Sequence, residues 1–194
     1  MLSEQHDVDE ARRLLEAGRI QEIVRELACS VCDQGCPEIL GLALPHIPLA
    51  AGDSRWWHWI LIQPIRGAGP DSAANEGHFQ AMAALLRFGV NPNVRRFGAT
   101  ALHFAAAHHG PLSDEDRARF AAMLLDHGAR LDFRDDLLHS TPLGWACRWG
   151  RRAMVKLIIA RGAPIDEPDA EPWATPKAWA EKMARPDIPQ LLCP

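Results

Sequence analysis

Basic charge, long apolar runs, paired cysteines and tyrosine are what this sequence is short of, and each shortage bears on a class of function. Lys and Arg number 21 against 25 Asp and Glu, a formal net charge of −4. The clustered positive charge that favours nucleic acid or an anionic membrane surface is therefore missing, and neither is expected as a partner. No stretch reaches the length of a membrane-spanning helix. The first ten residues carry Glu4, Asp7, Asp9 and Glu10 where a secretory signal needs a basic start and an apolar run, so a cytoplasmic location is expected. Five Cys is an odd number, and three of them crowd into the segment from Cys29 to Cys36, which is no disulfide framework; reduced thiols are expected. Tyr is absent beside seven Trp, and an aromatic lining of that kind could form a small-molecule pocket. No Gly-rich phosphate loop follows a strand, no Ser or Cys has the setting of a nucleophile, and no zinc-protease signature occurs.

What the chain does have is a repeat. With 194 residues, 47% hydrophobic and 24% charged, it is long enough to bury a continuous core. Three segments share one grammar, in which an apolar helix runs into Gly and a short stretch then closes on Asn or Asp. They are Ala84 to Asn93, Met123 to Asp132 and Leu157 to Asp166, with Gly89, Gly128 and Gly162 as the stops. Gly enters the left-handed conformation that commonly ends a helix without a Cβ clash. Each stop is followed by a helix start: Thr100-Ala101-Leu102-His103, Thr141-Pro142-Leu143-Gly144 and Thr175-Pro176-Lys177-Ala178. Thr can cap the first N–H groups, and Pro at the first helical position loses no hydrogen bond. The starts are 41 and 34 residues apart, so the earlier unit carries an insertion, placed at Gly110 to Asp116 between its two helices. In the preceding unit Trp56 to Ile62 and His78 to Leu86 read as a helix pair, separated by the breaker-rich stretch Pro64 to Asp71.

The pattern Thr-Pro-Leu-x-x-Ala, a second helix ending in Leu-Leu-x-x-Gly-Ala, and the closing Asp or Asn resemble the ankyrin repeat. The likeness runs from about Gly52 to Leu192, with Ala101 in place of the expected Pro and Gly144 in place of the expected His. It implies an all-α solenoid of helix-turn-helix repeats with hairpin-like fingers and degenerate terminal caps. The expected division is a single domain 1–194: an N-terminal helical cap 1–51, a degenerate repeat with insertion 52–93, a repeat with insertion 94–132, a repeat 133–166 and a capping repeat 167–194. In the cap, Val8 to Ala17 and Ile20 to Ala28 read as helices meeting near Gly18, with Ile20, Ile23, Val24 and Leu27 on one face. Gly18 to Val24 itself looks like the start of an ankyrin second helix. Cys29 to Ala51 is interrupted by Pro37, Pro45 and Pro48. At the other end, Trp173 to Met183 supplies a helix and Gln190 to Leu192 a remnant.

Two polar constellations invite a chemical reading. Cys29, Cys32 and Cys36, with His46 beyond, could give three thiolates and an imidazole to a metal. Spacings of three and seven also place them near one face of a helix, where Cys packs as a small hydrophobe, and packing is the reading adopted. His103, His108 and His109 with Asp114 and Asp116 form the other set. His103 matches the ankyrin His that ties neighbouring loops together, while His108 and His109 are adjacent and cannot share a helix face. His127 reads as a residue that interacts with its helix C-terminus. No metal, cofactor or catalytic residue is therefore expected. In the ankyrin family partners meet finger tips and the concave ends of first helices. The resemblance accordingly implies contacts at Arg96, Phe97 and Ala99 in one finger and at Leu137, Leu138 and Ser140 in the next. It adds His108, Arg148 and Trp149 at helix ends, then Glu171, Pro172 and Lys182 further along. Trp145 and Trp179 are expected to pack between repeats, and Trp149 to be a binding anchor. The expected function is a protein-protein interaction scaffold that is not an enzyme. The alternative is an enzyme or metal-binding protein built from the Cys-rich region and the insertions.

Overall fold

Ten α-helices and two 3-10 turns make up the regular structure of the described residues in a computed structural model, which describes residues 2–17, 24–49 and 54–193. Among them there is no strand, only an isolated antiparallel bridge between Arg96 and Ala99. The chain divides into two compact units, Met1–Asn91 and Pro92–Pro194.

In the first unit, α1 (Leu2–Glu16), α3 (Pro37–Ala43) and α5 (Glu76–Phe88) pack in succession, and α2 (Val24–Gln34) packs against α4 (Ser54–Gly67). The pairs α2–α3 and α4–α5 are each in contact, so both have the helix-turn-helix form of a repeat. The stretch that the sequence leaves interrupted is thus a further helix pair. Pro37 stands in the first turn of α3, where its missing N–H costs nothing, and Pro45 lies in the 3-10 turn Leu44–His46. Helix α4 likewise runs through Pro64 to Gly67, although the sequence places a break there. Its apolar residues Ile60, Leu61 and Ile65 are completely buried, and that burial outweighs one backbone hydrogen bond forgone to Pro. The expected meeting of helices near Gly18, and with it Ile20 and Ile23, lies outside the described residues.

The second unit has the same two layers. Helices α6 (Ala101–Ala107), α8 (Pro142–Trp149) and α10 (Pro176–Lys182) pack side by side, while α7 (Asp114–Asp126) packs on α9 (Arg152–Ala160). The 3-10 turn Pro189–Leu191 closes the array against α9 and α10. Leu102, Phe120, Leu124 and Leu143 are among the fully buried core residues of this unit.

The sequence punctuation is realised in backbone geometry. Gly89, Gly128 and Gly162 have φ of 101°, 86° and 88°, and the amide after each bonds back across the last turn: Val90 to Leu85, Ala129 to Leu124 and Ala163 to Ile158. Thr141 and Thr175 cap α8 and α10, each hydroxyl accepting from an amide at 3.2 Å. Helix α10 starts at this cap rather than at Trp173. Ser113 caps α7 by accepting from the Asp116 amide at 3.0 Å. Asp114 to Asp116 therefore form the first turn of that helix instead of belonging to the loop, where their charge meets the positive end of the helix. Asp114 also reaches α9, whose own Arg151 gives no side-chain cap, and accepts from the Ala153 amide at 2.7 Å. His127 does engage its helix end, Nδ1 lying 2.9 Å from the Met123 carbonyl oxygen.

Candidate partner-binding groove

The fingers begin as tight turns. In the first, Arg96 and Ala99 exchange backbone hydrogen bonds of 2.9 and 3.0 Å around Phe97 and Gly98, both at positive φ (50° and 71°). Positive φ at both central residues is the requirement of a type I′ hairpin turn. Gly98 is needed for space as well, since a Cβ there would lie 2.5 Å from Asp136 Oδ1 and 2.7 Å from its backbone nitrogen. The Asp136 amide instead donates to the Phe97 carbonyl at 3.0 Å, linking this finger to the next.

The second finger is wound around one carboxylate. Asp135, buried, accepts from the amides of Leu137, Leu138 and Ser140 at 3.0, 2.9 and 3.1 Å and from Trp145 Nε1 at 2.9 Å. The Leu137 side chain at this tip is 74% exposed, as is Phe97 on the first finger.

Between the second finger tip and the ends of α6 and α8 lies a groove of about 410 Å³. Leu137 and Leu138 form one wall; Phe104, Ala107, His108 and His109 come from the end of α6 and the residues after it, and Trp145, Arg148 and Trp149 from α8. The His108 ring stacks on Phe104 at 5.0 Å, and His109 meets the edge of Trp149 at 4.4 Å. Both His reach one groove because α6 ends at Ala107 and the backbone turns extended at His108. The helix-face objection to their acting together thus falls away. Two arginines hold this connection in place. Arg117, wholly buried, donates to the carbonyls of Ala105 and Gly110 at 3.1 and 2.8 Å; Arg151 donates to those of Ala106 and His108 at 3.3 and 3.4 Å. Burial lowers the pKa of both, that of Arg117 to about 10, which leaves Arg117 a cation at neutral pH.

Arg148 sits against two indoles, its guanidinium carbon 4.4 Å from the Trp179 ring centre and 5.7 Å from that of Trp149. Lys182 Nζ lies 5.1 Å from the Trp179 ring centre. Among the described residues no carboxylate pairs with Arg148, whose one side-chain hydrogen bond is a 3.8 Å contact with the Met183 sulfur. Its Nε and the Trp149 Nε1 are shielded from solvent without a hydrogen-bond partner.

Of the residues expected at the surface, His108, Leu137, Leu138, Arg148 and Trp149 come together in this groove. Arg96 and Phe97 are exposed on the first finger with Ala99 half-buried at its base, while Glu171 and Pro172 are exposed on a later loop. None of these lines the groove, and Lys182 stands beside it. Ser140 is a correction: it is fully buried, its hydroxyl donating to the Ala174 carbonyl at 2.9 Å and accepting from Trp179 Nε1 at 2.6 Å. It joins repeats and offers nothing to a partner. Phe104 and Trp145 belong to the groove without having been expected there. The four-residue spacing of Phe104 and His108, one helical turn, is the signal that could have found the first.

The cysteine segment shows a different arrangement from a shared helix face. Cys29 and Cys32 lie on α2, but Cys36 falls after the helix, at the residue preceding α3. Among the described residues no three His, Cys, Asp or Glu side chains converge as a metal-binding group. Burial pushes the Cys29 thiol up to about 11 and Cys32 higher still, and Cys147 to about 12, so all three are protonated at neutral pH. Among the described residues no helix is long and apolar enough to cross a membrane.

Residues 72–169 match the family model for ankyrin repeats in three copies, and the chain belongs to the ankyrin-repeat family. A curated relative, glycerophosphocholine phosphodiesterase gde1 of Schizosaccharomyces pombe, is 37% identical over 90 residues. That alignment covers 46% of this chain and 7% of the relative, and it falls on the ankyrin region.

Proposed function

We propose that this chain is a non-catalytic scaffold in the cytoplasm that docks another protein in the groove between the second finger and the ends of α6 and α8. The exposed first finger extends the same binding surface. What carries the reading is the make-up of the groove: apolar tip residues, two indoles and an Arg without a carboxylate partner stand around one concavity. Large aromatic groups and Arg are the residue types that anchor interfaces. A net charge of −4 supports a protein partner over nucleic acid or membrane. The phosphodiesterase activity in the relative's name is that protein's, of which the aligned stretch is a small part.

The experiment is a pull-down from the native host followed by calorimetry with the captured partner. Replacing Phe97, Leu138, Arg148 and Trp149 together by Ala is expected to weaken binding by about 3 kcal/mol or more, the scale of a few lost anchors. Circular dichroism should show helical content and cooperative unfolding retained. Normal binding by the folded variant would move the interface elsewhere, and unfolding would show that these side chains belong to the core.

A further inference from the structure

We propose that the groove selects a peptide segment in which a single carboxylate stands beside a large apolar side chain. This rests on the docking reading above and specifies its partner. The polar equipment of the groove is one-sided. None of its lining residues is Asp or Glu, and the carboxylate behind the tip, Asp135, already accepts from three amides and the Trp145 indole. Arg148, on the same lining, has no carboxylate partner among the described residues. A guanidinium left without one favours a ligand that supplies an acceptor, and a charged acceptor makes the stronger bond.

The apolar requirement comes from the finger wall. Leu137 and Leu138 line the same groove of about 410 Å³ as Trp149 and Arg148, and that space suits a large side chain. A free anionic metabolite would leave that wall uncovered. The lining carries one guanidinium, held against two indole rings, which suits a carboxylate; phosphate recognition calls for clustered arginines. The number of carboxylates is limited too. Lys182 and Arg148 are a cationic spot on a molecule of net charge −4, and beyond a Debye length of about 8 Å the rest of an acidic run would meet no attraction.

The test pans a displayed library of random unphosphorylated peptides over the full chain. Retained peptides are expected to carry one Asp or Glu within a few positions of Leu, Phe or Trp. For a synthetic peptide of that set, changing the acid to its amide should weaken binding about tenfold or more. Arg148→Gln should lose a similar factor, and the two changes together no more than either alone, since they remove the same interaction. The amide peptide leaves the protein untouched, so this arm holds even where Arg148→Gln folds poorly. Peptides that depend on the groove but contain no acid, or whose amide form binds equally, would overturn the selectivity while groove docking stands. Peptides that bind the fourfold Ala variant as well as the natural chain would overturn groove docking itself. A selection that returns no groove-dependent peptide would also overturn the inference, and the pull-down then decides docking separately.

Discussion

Phe97 occupies a backbone position that L-residues avoid. Its φ of 50° crowds Cβ against the following carbonyl, at a cost of about 1–2 kcal/mol for a residue that is not Gly, Asn or Asp. Nothing in the packing repays this, because the ring is 74% exposed and its recorded partner is the neighbouring Arg96, 5.3 Å from the ring centre. A residue that keeps strain in the folded state and shows an aromatic ring to solvent points to a use for that ring. Phe97→Asn should therefore stabilise the fold by about 0.5–1 kcal/mol, because Asn tolerates the left-handed region. Partner binding should weaken in the same variant. Chemical denaturation beside calorimetry separates the two; a destabilised variant would mean that the ring is packed.

The elements divide by how local their causes are. Helix stops at Gly89, Gly128 and Gly162 and starts at Thr141 and Thr175 were legible because each depends on one residue's φ or hydroxyl. Helix α3 and the run of α4 through Pro64 were not, since both depend on burial that only the packed neighbours supply. The groove was half legible. Finger tips and helix ends follow from the repeat, whereas the burial of Ser140 depends on Ala174 and Trp179, more than thirty residues away. The same distinction separates the glycines. A Cβ at Gly162 would meet nothing within 4 Å, while one at Gly98 would lie 2.5–2.9 Å from three atoms of Asp136 and Arg134. Gly162→Ala should thus cost about 1 kcal/mol, the backbone effect alone. Gly98→Ala must add a displacement of the neighbouring finger and cost at least twice as much. Thermal unfolding of the two variants checks this, and equal losses would show that the fingers yield freely.

Across the second unit, stability runs along one chain of hydrogen bonds. The Thr100 amide donates to His103 Nδ1 at 3.1 Å, which leaves Nε2 as the protonated nitrogen, and it donates to the Ser140 carbonyl at 3.2 Å. The Ser140 hydroxyl then reaches Ala174 and Trp179, so three successive repeats share one buried residue. Next to it Thr141 donates at 2.7 Å to buried Glu167, whose other oxygen lies 2.7 Å from Arg134 in an ion pair outside hydrogen-bonding geometry. In a repeat array the intrinsic stability of each unit is small, and the interfaces between units make unfolding cooperative. Ser140→Ala keeps the backbone links but strands a buried indole N–H and a carbonyl. The expected loss is about 1–3 kcal/mol, the cost of leaving such groups without partners. It should fall mainly on the contact between α8 and α10, so the C-terminal repeat is expected to open before the rest. Hydrogen exchange would show this as earlier exchange in residues 175–192 than in α6 and α7, together with a broader thermal transition. Leu137→Ala, three residues earlier but exposed, should change neither. If Ser140→Ala lowers protection evenly across the unit, the residue serves the whole unit as one cooperative block, and the three repeats do not come apart in sequence.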